Sequence, residues 1–308
     1  MAIASDSNPG RLVPEPPPAD QRVRLLIDSD AANEIDDLYA IALAVATPER
    51  FAIEGFVATH FAASAFGTDG PASTEKSYRL IGELLDVAGA AGRWRVARGA
   101  HPMQYMDWPS EGEGVDFILE RARAGTADDP LWVVALGAAT NLASAIVKDP
   151  SIADRVRFVF HARSGETWPQ RSVQYNVKGD VWAARTLLRS PAPLVWFDTG
   201  TNLCRSFEQT AATVAPTGRL GTYLHEFRRR NPYFMRSDKG FFDMADIAWM
   251  IRPGLCREEV VPAPTMDPYL FFDHDHVHGR MRRVYAIEND PTWDLLCQRL
   301  RWLRDQKA

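Results

Sequence analysis

Arg24-Leu25-Leu26-Ile27-Asp28-Ser29-Asp30-Ala31-Ala32-Asn33-Glu34-Ile35-Asp36-Asp37 is the stretch on which the reading of this chain turns. A short apolar run stops at an aspartate, and five acids then fall within the ten residues from Asp28 to Asp37. An apolar run of this kind, without polar alternation, fits a central strand buried on both faces. Asp36 and Asp37 open a helical pattern that runs to about Ala46 and is closed by Pro48, and acids at a helix start are favoured by its exposed N–H groups. In an open α/β sheet, sites form in the loops beyond strand C-termini. Like charges packed there repel one another and are tolerable together if a cation neutralises them. Oxygen-only ligands favour calcium or magnesium, but the spacing is not that of an EF-hand. A cation could hold a water between Asp30 and Asp37, with Asp30 accepting its proton, as in a metal-assisted hydrolase. The bland alternative is that Asp36 and Asp37 only cap a helix while Asp28 and Asp30 face solvent.

Outward from this stretch, strands are expected at 51–59, 94–97, 131–136, 156–160 and 194–197. Helices are expected at 74–89, 115–124, 141–148, with Thr140-Asn141 as its cap, and 179–188. This alternation predicts an α/β fold, an open and mostly parallel sheet flanked by helices. Residues 219–235 read as a helical flap or surface helix, and 241–251 as an apolar helix containing Asp243 and Asp246. Hairpin-like strands follow from 260, with a final helix at 291–304. The Pro-rich residues 1–21 read as a flexible lead-in, and 22–308 as a single domain.

The chain has 308 residues, 46% hydrophobic and 24% charged, with a net charge of -5. It is too apolar to be disordered, and it lacks the basic surplus of a general nucleic-acid binder. No apolar run reaches the length of a membrane span. Cys204, Cys256 and Cys297 form neither a disulfide framework nor a zinc spacing. The N-terminus carries no export leader, so a cytoplasmic location is expected. Dinucleotide, P-loop and serine-hydrolase motifs are lacking. His274, His276 and His278 alternate along one strand but read as a polar hairpin edge before a metal site. Arg228, Arg229 and Arg230 read as surface charge before a phosphate site.

The acidic stretch resembles the signature of the nucleoside hydrolase family, the inosine–uridine-preferring group and its relatives, with two extra residues between Asp30 and Asp36. The resemblance continues at Val134-Ala-Leu-Gly-Ala-Ala-Thr-Asn-Leu-Ala143, at Gln174-Tyr-Asn176-Val-Lys-Gly-Asp180 and at Phe242-Asp243-Met-Ala-Asp-Ile-Ala248. It implies calcium-dependent hydrolysis of the N-glycosidic bond of a ribonucleoside or related riboside. Asp30 would be the general base. Asp30, Asp37 and Asp243, with the backbone carbonyl of Leu136, would hold Ca2+. Asp36, Asn176 and Gln174 would bind the sugar, while Asp28 and Asn33 would support the loop. His60, Trp168, His101, Tyr223 and His225 are further candidates for the substrate pocket, each with an ordinary packing or surface role as its alternative. The resemblance also implies a homodimer or homotetramer. Two departures stand out. Phe242 occupies the position of a histidine tied to leaving-group protonation, and Gln174 replaces a glutamate. They motivate a second reading, a non-catalytic sugar or nucleoside binder on the same scaffold. A two-metal phosphodiesterase is a weaker third.

Overall fold

The computed structural model describes residues 11–61, 70–163 and 165–306. In chain order the elements are β1 (Val23–Ser29), α1 (Asp36–Val45), β2 (Phe51–Ala58), α2 (Gly70–Val87), β3 (Val96–Arg98), α3 (Glu113–Arg123), β4 (Leu131–Ala135) and α4 (Thr140–Lys148). They continue with β5 (Val156–His161), α5 (Tyr175–Gly179), α6 (Val181–Arg189), β6 (Leu194–Phe197), α7 (Phe207–Thr213) and α8 (Arg219–Phe227). The chain ends with α9 (Met244–Ile251), β7 (Cys256–Met266), β8 (Phe272–Ile287) and α10 (Asn289–Asp305).

Among the described residues, eight strands form one sheet in the order β3-β2-β1-β4-β5-β6-β8-β7, parallel throughout except for the antiparallel β7–β8 hairpin. This is the open, mostly parallel α/β sheet expected from the alternation. β1 lies at its centre, between β2 and β4. Its apolar residues divide between the two faces. Leu25 and Ile27 join the core under α1, α2, α9 and α10, while Leu26 joins the core under α3, α4 and α6. Both faces are covered, which is why the strand carries no polar alternation.

The order of strands reverses between β1 and β4, where the chain goes back to build the other half of the sheet. A crevice opens at such a switch point, beyond the carboxyl ends of the two strands. Ile27 pairs with Val134, and the Leu136 N–H donates to the Asp28 carbonyl at 2.8 Å, so the two strand ends are in step. Gly137 follows. A Cβ there would lie 2.5 Å from Thr59 Cγ2 and 2.9 Å from Asp30 Cβ, so only glycine lets the β4 turn approach the acidic loop this closely.

One expectation is corrected by packing. Thr140 and Asn141 do not cap α4 from outside. They are its first residues, fully buried, and their side chains bind Asp180 and Asp28 instead. Of the lead-in, residues 1–10 lie outside the described residues, and the described part makes contacts with the domain. Arg11 donates to the carbonyls of Leu187, Leu188 and Ala192, and Arg50 donates to those of Pro17, Pro18 and Gln21. Proline-rich chain has carbonyls without partners of its own, and these two arginines supply the donors.

Candidate active site

The site is built where two helix N-termini meet at the crevice. Asp36 and Asp37 are the first two residues of α1, and Asp243 is the residue before α9. The positive ends of both helix dipoles favour negative charge there. Some 200 residues of chain separate the halves, and aromatic packing brings them together. Phe241 lies 4.6 Å from Tyr39 of α1 and 4.8 Å from Trp293 of α10, ring centre to ring centre, edge to face in both contacts. The Phe242 N–H then donates to Asp36 Oδ2 at 3.1 Å.

Asp36, Asp37 and Asp243 each offer a carboxylate oxygen, and these oxygens all lie within 4.8 Å of one another. Asp30, Asp36, Asp37 and Asp243 are at most 4% exposed. Burial raises the pKa of Asp37 to about 6, and the charge of Asp36 adds to this, against the hydrogen bond from Ser29. Burial, followed by the charges of Asp37 and Asp36, pushes both Asp30 and Asp243 well above the usual carboxylate range. Three buried carboxylates whose pKa values are raised, those of Asp30, Asp37 and Asp243, mark a place where positive charge is wanted. The donors are all oxygen, which suits a hard cation of the calcium type. One internal cation contributes. Lys239 is buried with its ammonium 2.7 Å from Glu34 and 3.1 Å from Asp36. Burial works against its charge, but Asp36 and Glu34 outweigh that and raise its pKa.

A cavity of about 620 Å³ opens over this cluster. Its walls include eight of the residues expected from sequence: Asp30, Asn33, Asp36, Asp37, Leu136, Gln174, Asn176 and Asp243. Asn33 donates its side-chain amide to Asp30 Oδ2 at 3.1 Å. Asn176 donates to the carbonyls of Leu136 at 2.6 Å and His161 at 3.0 Å, which leaves its own oxygen as the group for a ligand. Gln174 caps α5, its side-chain oxygen accepting from the Asn176 N–H at 2.7 Å. Asp28 lies beneath the cavity, fully buried and accepting from Asn141 at 2.8 Å, with burial raising its pKa to about 8.

Five expected pocket residues lie away from this cavity. His60 is buried and turned to Thr140 at 2.9 Å, and burial lowers its pKa to about 4. His101 is exposed and lines a separate small pocket with Trp108. Tyr223 donates to Glu83 on the surface at 2.8 Å. His225 is buried against Phe207 and bonded to Thr210 at 3.0 Å. Trp168 packs edge-on against Phe272 and His274. In their place the cavity has His161, Arg163, Asp198 and Arg283, none of which was expected. His161 ends β5 and Asp198 follows β6, so the strand-end rule applied to those two strands was the available signal.

The family model for inosine-uridine preferring nucleoside hydrolases matches residues 25–278. The non-specific ribonucleoside hydrolase RihC of Escherichia coli O127:H6 is 25% identical over 255 residues, which cover 76% of this chain and 81% of that protein. Among solved structures, the plant nucleoside hydrolase PpNRh1 superposes with a TM-score of 0.72 at 18% identity, covering 91% of this chain and 99% of that one. The purine-preferring ribonucleoside hydrolase from Gardnerella vaginalis gives 0.70 at 19% identity, covering 92% and 99%. The fold is therefore shared with these hydrolases, and the Asp36, Asp37 and Asp243 cluster is the calcium-type carboxylate centre of enzymes that act on the glycosidic bond. Matched over most of its length and carrying that centre at the switch point of its sheet, this chain belongs to the inosine-uridine preferring nucleoside hydrolase family and is an N-ribosyl hydrolase.

Proposed function

We propose that the substrate is a ribonucleoside or a closely related riboside and that Asp30 is the base that takes a proton from the attacking water. The observation that carries this reading is a cluster of buried carboxylates on the floor of a cavity of about 620 Å³, large enough for a small molecule and too acidic for a polyanion. Asp30, Asp37 and Asp243, with the Leu136 carbonyl, would hold calcium. Asp36 is already engaged by Lys239 and the Phe242 N–H, which suits it to orienting a sugar hydroxyl. Bound there, calcium supplies a fixed charge that aligns water with the sugar and eases loss of the water's proton. Asn33 holds Asp30 in place. As the glycosidic bond breaks, positive charge grows on the sugar ring, and the remaining carboxylates stabilise it. Asn176 and Gln174 add hydrogen bonds to hydroxyls, and Asp28 holds the loop from below through Asn141.

Sugar release from a panel of nucleosides, with calcium and with EGTA, tests this reading. Calcium-dependent release supports it. Ligand binding without turnover at high enzyme concentration would favour a non-catalytic binder instead. The proposal extends to a cytoplasmic homodimer or homotetramer that does not act on nucleic acid. In its support, all three cysteines are free thiols, as a reducing compartment allows, and the net charge is -5. No helix among the described residues is long and apolar enough to cross a membrane. Exposed aromatic residues such as Tyr105 and Trp108 are available for subunit contact. Light scattering of the full chain reads the subunit number.

A further inference from the structure

Breaking a glycosidic bond separates charge. The sugar ring gains positive charge, for which the site has carboxylates in plenty, and the departing atom gains negative charge. Phe242 has no proton to give that atom. Among the described residues that line the cavity, three side chains are cationic or can become so: His161, Arg163 and Arg283.

Two of the three are committed elsewhere. Arg283 donates Nε to Asp198 at 2.5 Å and Nη1 to Glu259 at 2.7 Å, and its guanidinium lies over the Trp168 ring. His161 is 1% exposed. Its Nδ1 bonds Asp246 at 2.7 Å and lies 3.8 Å from Asp243, so the ring is committed to the carboxylates, and its Nε2 is buried with no hydrogen-bond partner among the described residues. Arg163 is different. It is half-buried, and its guanidinium has no hydrogen bond or ion pair among the described residues. Its guanidinium lies over the face of the Phe242 ring, 4.5 Å from the guanidinium carbon to the ring centre, and its charge also reaches Glu34 through space. That ring is fixed to the carboxylate centre on both sides, through the Phe242 N–H on Asp36 and through the peptide bond to Asp243. The backbone of Arg163 is fixed as well. Its N–H donates to the Phe197 carbonyl at 2.8 Å, and its φ of +25° is one that a non-glycine residue seldom adopts. Backbone of this kind is kept where the surroundings demand a particular side-chain placement.

We propose that Arg163 is the catalytic residue that receives the leaving group, its guanidinium carried on Phe242 and donating N–H hydrogen bonds to the departing atom. This inference rests on the N-ribosyl hydrolase reading of the site. In the step, the water oxygen bonds to the anomeric carbon and the glycosidic bond breaks. The bonding electron pair leaves with the base, the water's proton passes to Asp30, and the departed base takes a proton from solvent. Arg163 keeps its charge throughout, because a guanidinium is not an acid at these pH values. A fixed cation in place of a proton donor makes the rate depend on how well the leaving group bears negative charge. The aromatic ring beneath holds the guanidinium in place and leaves its edge donors free.

The test compares leaving groups in the full chain with calcium present. Arg163→Ala and Arg163→Lys are assayed on inosine and uridine, whose bases leave poorly, and on p-nitrophenyl β-D-ribofuranoside, whose leaving group needs no help. In Arg163→Ala, kcat on the nucleosides should fall about 100-fold or more, as when an oxyanion donor is removed, and on the nitrophenyl riboside only a few-fold. Guanidinium ion added at millimolar concentration should restore part of the nucleoside rate, and Arg163→Lys should fall between the two. An equal loss on all substrates, or no loss on any, overturns the assignment, with circular dichroism melts reporting that each variant is folded. A wild-type protein that hydrolyses none of these ribosides overturns the underlying reading of the site as well.

Discussion

Stripping the protein with EGTA at about pH 8 leaves the carboxylates of Asp36, Asp37 and Asp243 facing one another, with Lys239 as the cation in contact. At the outer separation of 4.8 Å and an effective dielectric of about 20, each ionised pair repels by roughly 3–4 kcal/mol. The metal-free protein relieves this by holding protons, and burial, followed by neighbouring charge, pushes the Asp37 and Asp243 carboxyls up. A carboxyl whose pKa is raised on folding contributes stability at low pH and loses it as pH rises through the folded value. Asp37, raised from its ordinary 3.8 to about 6, alone accounts for about 3 kcal/mol lost between roughly pH 4 and pH 7. Asp28, raised to about 8, extends the loss further into the alkaline range. Calcium replaces those protons, so the loaded protein should not share this loss. Thermal melts in EGTA and in saturating calcium, at about pH 5.5 and about pH 8, read the effect. Only about 1 kcal/mol of the Asp37 loss falls between those two pH values, so at about 2 °C per kcal/mol for a chain of this size the calcium-induced rise in Tm should be at least about 2 °C larger at the higher pH. A calcium increment independent of pH, or an EGTA-treated protein that melts higher at pH 8, would mean that calcium does not replace protons on these carboxyls.

Asp30→Asn keeps the shape of the loop and removes the proposed base, so kcat should fall by roughly 10²–10⁴ with the fold intact by circular dichroism. Retention of full activity would remove Asp30 from the chemistry. Gly137→Ala places a methyl group 2.9 Å from Asp30 Cβ. It should cost about 1–3 kcal/mol in urea unfolding and lower kcat together, whereas a neutral result on both would mean the β4 turn has slack. Lys239→Met leaves Glu34 and Asp36 buried without their ammonium. Unfolding stability in EGTA should drop by about 3–5 kcal/mol, with part of the loss recovered by calcium, and a loss below about 1 kcal/mol would contradict this.

Much of the frame could be read from the chain because local chemistry and tertiary role coincide there. Residues 24–27 are apolar without alternation since both faces of β1 are covered, and that pattern survives in sequence. The acids from Asp28 to Asp37 announce themselves by crowding. The distant partner was harder. Asp243 reaches α1 through the packing of Phe241 on Tyr39 and Trp293, contacts that no short-range pattern reports. It entered the reading by family resemblance. The histidines show why side-chain direction is poorly legible. His60 follows a strand and His225 sits on a helix, as pocket residues do, yet each turns inward to a threonine hydroxyl. Arg283 escaped notice because it lies inside a hairpin strand whose place beside β6 could not be read from order alone.

A crystal structure grown in calcium with a bound ribose analogue would show whether one ion joins the two halves of the site. One ion should lie against the carboxylates of Asp30, Asp37 and Asp243 and the carbonyl of Leu136, with two sugar hydroxyls completing its shell. An ion bound elsewhere, or a sugar seated in the cavity with those carboxylates empty-handed, would contradict the account.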